Sequence, residues 1–133
     1  MHNWSSYILE QCRGAESILV ADDEPVVLIL TKVILRNYGY NVLLAKNGEE
    51  AIEVHRASGP VDLVLTDVIM PQMTGSELMH ELKQESKDLR CVLMSGYDHE
   101  QIQKHGVKDL GCDYLRKPFT PEALLRKVRH TLD

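Results

Sequence analysis

Five polar residues stand at the ends of short apolar segments and define the chemistry available to this chain: Asp22, Asp23, Asp67, Ser95 and Lys117. Carboxylates that lie close together repel one another unless a cation lies between them. Because the three acids come without His or Cys, their oxygen ligands favour a hard cation such as Mg²⁺. A carboxylate is also a nucleophile toward phosphorus, and a lysine and a hydroxyl can hold the remaining phosphoryl oxygens. The set therefore predicts Mg²⁺-assisted phosphoryl transfer onto an aspartate.

The segments that carry these residues alternate with helical patterns. Strands are predicted at residues 17–21, 41–45, 61–66, 90–94 and 112–115, and a helix is predicted after each of them. Such alternation gives parallel strands with right-handed crossovers, and their carboxyl ends meet at one edge of the sheet. The predicted fold is α/β: a flavodoxin-like (βα)5 doubly wound parallel sheet of five strands in the order 2-1-3-4-5.

Two helix predictions are specific enough to test. The helix that begins at Pro25 is predicted to bury one stripe, formed by Val27, Leu30, Val33 and Ile34 and widened by Ile29 and Leu35. Residues 98–105 are predicted to form a loosely held helix, because they contain a single large apolar side chain, Ile102.

Composition limits the functional class. The chain has 133 residues and a net charge of −5, without a basic cluster for nucleic acid or an apolar run of membrane-spanning length. We expect a cytoplasmic domain without direct nucleic-acid or membrane contact, at residues 17–133, preceded by an N-terminal extension or linker at 1–16. Cys12, Cys91 and Cys112 are odd in number and widely spaced, which favours reduced buried thiols.

Four motifs occur in order along the chain: LVADDE, LTDVIMPQMTG, MSGY and YLRKPF. At these motifs the sequence resembles the receiver domain of two-component response regulators, and the resemblance extends from Ser17 to Asp133. One such motif is weak, whereas four in the same order are specific. The resemblance leaves two contexts open, a stand-alone regulator and a part of a larger protein. The MSGY and LRKPF motifs favour the second context, the receiver of a hybrid sensor histidine kinase.

The resemblance also implies residue roles. Asp67 is the expected phosphoacceptor, and its donor is a phosphohistidine on a sensor histidine kinase or a histidine phosphotransfer protein. Asp23, Asp67 and the backbone carbonyl of Ile69 are the expected direct Mg²⁺ ligands, and Asp22 is expected to hold the ion through water.

Other roles concern the phosphoryl group and the response to it. Lys117 is expected to pair with Asp67 and then to contact the phosphoryl group, and the bond before Pro118 is a candidate cis peptide. Ser95 and Tyr114 are the expected switch pair, which changes an interaction face for an unknown downstream protein. The isolated domain is not expected to be an enzyme, although it assists its own phosphorylation and dephosphorylation.

Two bulky residues near the site bear on the lifetime of the phosphoryl group. Ile69 lies two residues after Asp67, and Tyr97 lies two residues after Ser95. Neither side chain orients an attacking water as an amide or an acid does, so we expect slow intrinsic dephosphorylation.

Three alternatives belong to other functional classes. An Asp-nucleophile phosphatase of the haloacid-dehalogenase kind requires a second acid where this chain has Ile69. A flavodoxin-like cofactor binder requires a phosphate-cradling loop where this chain has Asp22, Asp23 and Glu24. A degenerate receiver, which acts as an interaction domain without phosphorylation, remains possible in principle although all five polar positions are filled.

Overall fold

The structure is a computed structural model that describes residues 9–96 and 110–133. Its strands and helices, in chain order, are β1 (Ser17–Ala21), α1 (Pro25–Asn37), β2 (Asn41–Ala45), α2 (Gly48–Ser58), β3 (Leu63–Asp67), α3 (Gly75–Glu85), β4 (Arg90–Ser95), β5 (Asp113–Arg116) and α4 (Pro121–Leu132). The helix predicted at 98–105 and the position of Tyr97 lie outside the described residues.

All the strand pairs are parallel, and the order across the sheet is β2-β1-β3-β4-β5. The predicted fold and strand order are therefore confirmed. β3 and β4 each extend to their polar terminal residue, because Asp67 pairs with Met94 and Ser95 pairs with Arg116. The backbone of the sheet thus fixes the positions of the acid and the hydroxyl.

The alternation of side chains along each strand divides the interior into two cores. Ile18 and Val20 of β1 belong to the core that contains the buried faces of α1 and α4. Leu19 and Ala21 belong to the core on the other side of the sheet, with residues of α2 and α3. Since both faces are covered, the strands are apolar almost throughout.

The buried stripe of α1 differs from the prediction. Its buried residues are Leu28, Thr31, Ile34 and Leu35. The prediction was right for Ile34 and Leu35 and wrong for Ile29, Leu30 and Val33, which are 61%, 50% and 51% exposed. α1 carries apolar residues on two faces, and periodicity alone cannot show which face meets the sheet.

The cysteines also differ from the prediction. Cys91 and Cys112 form a disulfide, whereas Cys12 is free and buried. The expectation of reduced thiols is therefore wrong for the bonded pair. Cys91 and Cys112 are 21 residues apart in the sequence, so their spacing does not indicate a pair. In the fold they lie opposite each other, because the next residues, Val92 and Asp113, pair between β4 and β5.

The described part of the N-terminal extension packs against the domain. Leu9 and Cys12 contribute to the α1–α4 core, and the carbonyl oxygen of Arg13 accepts a hydrogen bond from Arg129 Nη1 at 3.3 Å. The domain boundary at Ser17 stays a prediction. Among the described residues, no helix has both the length and the apolar character needed to cross a membrane.

Candidate functional site

The carboxyl ends of β1, β3 and β5 bring charged side chains around one ammonium group. Lys117 Nζ lies 2.7 Å from Asp22 Oδ2 and 3.1 Å from Asp67 Oδ2. Glu24 Oε1 lies 3.6 Å from the same nitrogen. We call these four residues the acceptor cluster. It joins positions that are 50 and 95 residues apart in the sequence, as the fold prediction requires.

The acids of the cluster are partly those that the sequence singled out. Carboxylate oxygens of Asp22, Glu24 and Asp67 lie within 4.8 Å of one another. Asp22 is fully buried, and Asp67 is 9% exposed. Asp23 is exposed and does not belong to this group, so its role as a direct ligand remains a prediction.

Glu24 is the member that sequence reasoning missed. It precedes Pro25 at the start of α1, and its side chain makes no capping hydrogen bond there. Instead, Asp22 Oδ1 accepts a hydrogen bond from the Glu24 amide at 2.9 Å, which fixes the turn after β1. The run of acids from Asp22 to Glu24 was the available signal.

The donor set fits a divalent cation. The converging groups are carboxylate oxygens, which are the ligands that Mg²⁺ prefers. Lys117 supplies one positive charge to three acids, so the cluster keeps a negative balance that a further cation would neutralise. The residues present are therefore compatible with the predicted magnesium.

Burial and charge act against each other at Asp67. Burial raises the pKa of its carboxyl group and the nearby Asp22 charge adds to this, while Lys117 and the Ile69 amide oppose it without cancelling it. Burial alone would lower the pKa of the Lys117 ammonium, but hydrogen bonds to Asp22 and Asp67 outweigh burial and raise it. Burial thus disfavours the charged form of Asp67 and Lys117 favours it, a combination that is common at reactive groups.

The loop after Asp67 holds the acid against the start of α3. The Ile69 amide donates to Asp67 Oδ1 at 3.3 Å, and the Gly75 amide donates to the Val68 carbonyl oxygen at 2.8 Å. A Cβ atom on Gly75 would collide with the Asp67 carbonyl oxygen. The closing glycine of LTDVIMPQMTG is therefore required by a close approach of the backbone.

α3 begins at this loop because the sequence encodes a capping box. The Thr74 side chain accepts from the Glu77 amide, and the Glu77 side chain accepts from the Thr74 amide. Both helix-start donors are satisfied, which fixes the far end of the Asp67 loop.

Ser95 lies on β4, the neighbour of the strand that ends at Asp67, and Tyr114 lies on β5, one strand further away. Ser95 is 2% exposed at the end of β4, and its carbonyl oxygen accepts from the Lys117 amide at 2.8 Å. Tyr114 packs against a small cluster centred on Val68 and Leu93, and burial raises the pKa of its hydroxyl group. The peptide bond before Pro118, the cis candidate, is cis.

An apolar groove borders the acceptor cluster. It has a volume of about 440 Å³ and is lined by residues from the start of α1, the end of β4 and the β5–α4 connection, among them Val26, Leu30, Gly96, Lys117, Pro118 and Phe119. Val26, Ile29, Leu30 and Val33 form one exposed stripe on α1, which we call the α1 stripe. Exposed apolar patches of this kind mark interaction sites more often than chance.

This chain is similar to known proteins over most of its length. Residues 18–129 match the family model described as the response regulator receiver domain. The probable transcriptional regulatory protein TcrX of Mycobacterium tuberculosis is 34% identical over 116 residues, which are 87% of this chain and 49% of that protein. The sensor kinase CckA of Brucella abortus is 32% identical over 121 residues, which are 90% of this chain and 13% of that protein.

Among solved structures, a CheY-like response regulator receiver domain protein from Methanospirillum hungatei has a TM-score of 0.81 and 29% identity. The alignment covers 90% of this chain and 95% of that one. This chain belongs to the response regulator receiver domain family, a class of two-component signalling domains. It spans half or less of the two curated relatives described above.

Proposed function

We propose that this chain is a phosphoacceptor in two-component phosphorelay signalling, and that Asp67 receives the phosphoryl group from a phosphohistidine of a sensor histidine kinase or a histidine phosphotransfer protein. The observation that carries the proposal is the environment of Asp67. Its carboxylate is aimed at the Lys117 ammonium, and burial raises its pKa in spite of that partner.

The transfer is a displacement at phosphorus. A carboxylate oxygen of Asp67 forms a bond to phosphorus as the phosphorus–nitrogen bond of the donor breaks. The donor imidazole keeps the electron pair of that bond and takes up a proton. Lys117 already lies within hydrogen-bond distance of Asp67, where it can stabilise the charge on the phosphoryl oxygens.

A bound Mg²⁺ would neutralise part of the charge that gathers between acid and phosphoryl group. Asp23, Asp67 and the Ile69 carbonyl are the proposed direct ligands, and Asp22 is proposed to hold the ion through water. We add Glu24 to this set, because its carboxylate reaches the same cluster.

The response to phosphorylation is proposed to involve Ser95 and Tyr114. An acyl phosphate adds charge and acceptor oxygens next to the end of β4, where Ser95 offers a hydroxyl. A shift of Ser95 toward those oxygens changes the packing that Tyr114 meets on β5. The outcome is a population shift between two states of the face that a downstream protein recognises.

The α1 stripe is the proposed docking surface for the phosphohistidine-bearing donor. Any donor must bring its phosphoryl group to Asp67, and the groove that contains Val26 and Leu30 also contains Lys117. A substitution of Ile29, which is 61% exposed, tests this surface without touching the acceptor cluster. Ile29→Glu should slow transfer from a phosphohistidine donor yet leave labelling by acetyl phosphate unchanged. If the donor labels Ile29→Glu and the wild type at equal rates, the α1 stripe is not the docking surface.

The proposed setting is the cytoplasm, where the domain acts as a signalling module and not as an independent enzyme. The relatives include two longer proteins, a transcriptional regulatory protein and a sensor kinase, and a CheY-like receiver domain protein that is covered to 95%, so both contexts considered from the sequence stay open.

Intact mass after incubation with acetyl phosphate and Mg²⁺ tests the function. We expect the gain of one phosphoryl group, and its absence in Asp67→Asn and in the presence of EDTA. Asp88→Asn is a matched control, since Asp88 is an aspartate outside the acceptor cluster. A folded protein that gains no phosphoryl group from acetyl phosphate or from a panel of phosphohistidine donors would contradict the proposal and leave the degenerate receiver.

A further inference from the structure

The Cys91–Cys112 disulfide joins two strands that both end at the acceptor cluster. Cys91 is the second residue of β4, and Cys112 directly precedes β5. Because Val92 pairs with Asp113, the two cysteines lie opposite each other one position earlier, with Cα atoms 4.9 Å apart. This separation is normal for a disulfide. The bond therefore locks the register of β4 and β5 at their amino ends.

The two cysteines of the bond differ in accessibility. Cys91 is 1% exposed, whereas Cys112 is partly exposed and is the more accessible of the two. The groove that borders Cys91 is lined by the cationic side chains Lys83, Lys87 and Arg90 and by the acids Asp88 and Asp113. An attacking thiolate is therefore expected to reach Cys112 first, with Cys91 as the leaving group.

The exchange balances with an external thiol as reductant. A thiolate attacks Cys112 Sγ, the sulfur–sulfur bond breaks, and the electron pair leaves with Cys91 Sγ, which takes up a proton. A second thiolate then attacks the mixed disulfide on Cys112 and releases the oxidised reductant, and the Cys112 thiolate is protonated. Two external thiols are oxidised to one disulfide, and the reverse reaction consumes one external disulfide.

Packing connects the bond with the acceptor cluster. Cys112 and Tyr114 pack against the same small cluster, formed by Val68 and Leu93. Val68 follows Asp67 directly, and its amide donates to the Met94 carbonyl oxygen of β4 at 3.0 Å. β5 then leads to Lys117 within a few residues. A change in the contact between β4 and β5 is therefore expected to alter the positions of both Asp67 and Lys117.

We propose that Cys91 and Cys112 form a reversible thiol–disulfide exchange site, through which a low-molecular-weight thiol such as glutathione slows phosphorylation of Asp67. In the cytoplasm proposed above, disulfides that do form are mostly transient or redox-sensing. The effect on Asp67 rests on the proposed function, whereas the exchange site itself does not.

Alkylation followed by intact mass measures the exchange site. After equilibration of the folded chain with oxidised glutathione and removal of the buffer, we expect one alkylated thiol on unfolding, Cys12. After equilibration with reduced glutathione we expect all three cysteines to be alkylated. Reduction should also lower the thermal midpoint by about 5–10 °C, since it opens the loop between the bonded residues. Three alkylated thiols in both buffers would overturn the proposal.

The rate of labelling by acetyl phosphate then tests the connection. We expect the oxidised chain to be labelled at least about threefold faster than the reduced chain, because the bond holds Lys117 and Asp67 in register. Cys12→Ala should keep this difference, and the double variant C91A/C112A should label slowly in both buffers. Equal rates in the two redox states of the wild type would overturn the regulatory role. If neither state is labelled, the proposed function fails, and the thiol count alone decides the exchange site.

Discussion

Two clusters of charged side chains lie at opposite edges of the sheet and illustrate two uses of the same groups. The acceptor cluster surrounds Lys117 at the carboxyl ends of the strands. The second, which we call the basal cluster, surrounds Arg129 near the amino ends of β1 and β2 and consists of Glu16, Tyr40, Arg129 and Asp133. Both combine one cation with acids, yet their electrostatics differ.

In the basal cluster each charge favours its partner. Arg129 Nη2 lies 2.6 Å from Glu16 Oε2, and Arg129 Nη1 donates to the Tyr40 hydroxyl oxygen at 3.2 Å. The hydrogen bond from Arg129 lowers the pKa of the Glu16 carboxyl, and hydrogen bonds to Glu16 and Asp133 raise the pKa of Arg129. Both charged forms are therefore stabilised by folding.

In the acceptor cluster the carboxylate is not fully compensated. Burial raises the pKa of the Asp67 carboxyl even though Lys117 lies 3.1 Å away. The difference shows how burial and the number of acids around one cation separate a structural ion pair from a reactive carboxylate. Five experiments test this difference between the acceptor cluster and the basal cluster.

The largest effect is expected at Lys117. Replacement by Met removes the ammonium that contacts Asp67, and the rate of labelling by acetyl phosphate should fall on the order of 100-fold. Arg116→Met is the matched control, since Arg116 is the exposed neighbour in the chain. A labelling rate in Lys117→Met equal to that of the control would show that the ammonium does not assist the transfer.

At the basal cluster the main effect is on stability. Arg129→Met leaves the partly buried Glu16 carboxylate without its cation, and the free energy of unfolding in urea should fall by about 2 kcal/mol. Arg126→Met removes only an exposed pair with Glu122 and should cost no more than about 0.5 kcal/mol. If both variants lose the same free energy of unfolding, the contacts of Arg129 contribute no more than an exposed surface ion pair does.

Access of water to the acceptor cluster is expected to depend on Ile69, which is 36% exposed. Ile69→Asn introduces an amide that can orient water toward the acyl phosphate, and its lifetime should shorten by roughly tenfold. Ile69→Val keeps an apolar side chain and should keep the lifetime. Loss of the intact-mass phosphoryl signal at the same rate in both variants would refute the shielding role.

Neutralising one carboxylate should change the free energy of unfolding in opposite directions in the two clusters. In metal-free buffer, Asp67→Asn should raise the free energy of unfolding, because it removes a charge that folding disfavours. Glu16→Gln should lower it by about 1 kcal/mol. Denaturant titrations with EDTA measure both values, and the same sign for the two variants would remove the distinction between the clusters.

The smallest expected effect is the pH dependence of these changes in the free energy of unfolding. The folded pKa of Asp67 lies above its unfolded value, so its cost is present above the folded pKa and is lost as the pH falls from the folded to the unfolded pKa. The folded pKa of Glu16 lies below its unfolded value, so its contribution is present above that unfolded pKa and is lost as the pH falls through the folded one. On acidification, the gain in the free energy of unfolding for Asp67→Asn and the loss for Glu16→Gln should therefore both disappear. A difference that grows as the pH falls, in either variant, would contradict the pKa directions.

Much of this arrangement could be predicted from local patterns. β1 and β2 occur at the predicted residues, and Thr120 caps α4 through the Ala123 amide as its position before Pro121 indicates. The sites of Asp22, Asp67 and Lys117 follow from the rule that parallel strands end at one edge. These features depend on short segments and on topology, both of which the sequence encodes locally.

Other features depend on which surfaces meet, and they escaped prediction. α1 has two apolar faces, so Leu30 and Val33 were assigned to the core although they are exposed. The disulfide requires the register of β4 against β5, and Glu24 enters the acceptor cluster only through the turn fixed by Asp22. The buried face of α1 and the disulfide both depend on tertiary contacts between distant segments, about which spacing carries no signal, whereas the run of acids from Asp22 to Glu24 was a local signal.

The most direct test of the central claim is the location of the phosphoryl group. The chain is labelled with acetyl phosphate and Mg²⁺, treated with borohydride, which reduces an acyl phosphate to the alcohol, and digested for tandem mass spectrometry. We predict homoserine at the position of Asp67 and unmodified aspartate at Asp22 and Asp23. Reduction at any other acid, or at none in a labelled sample, would contradict the assignment of Asp67 as the phosphoacceptor.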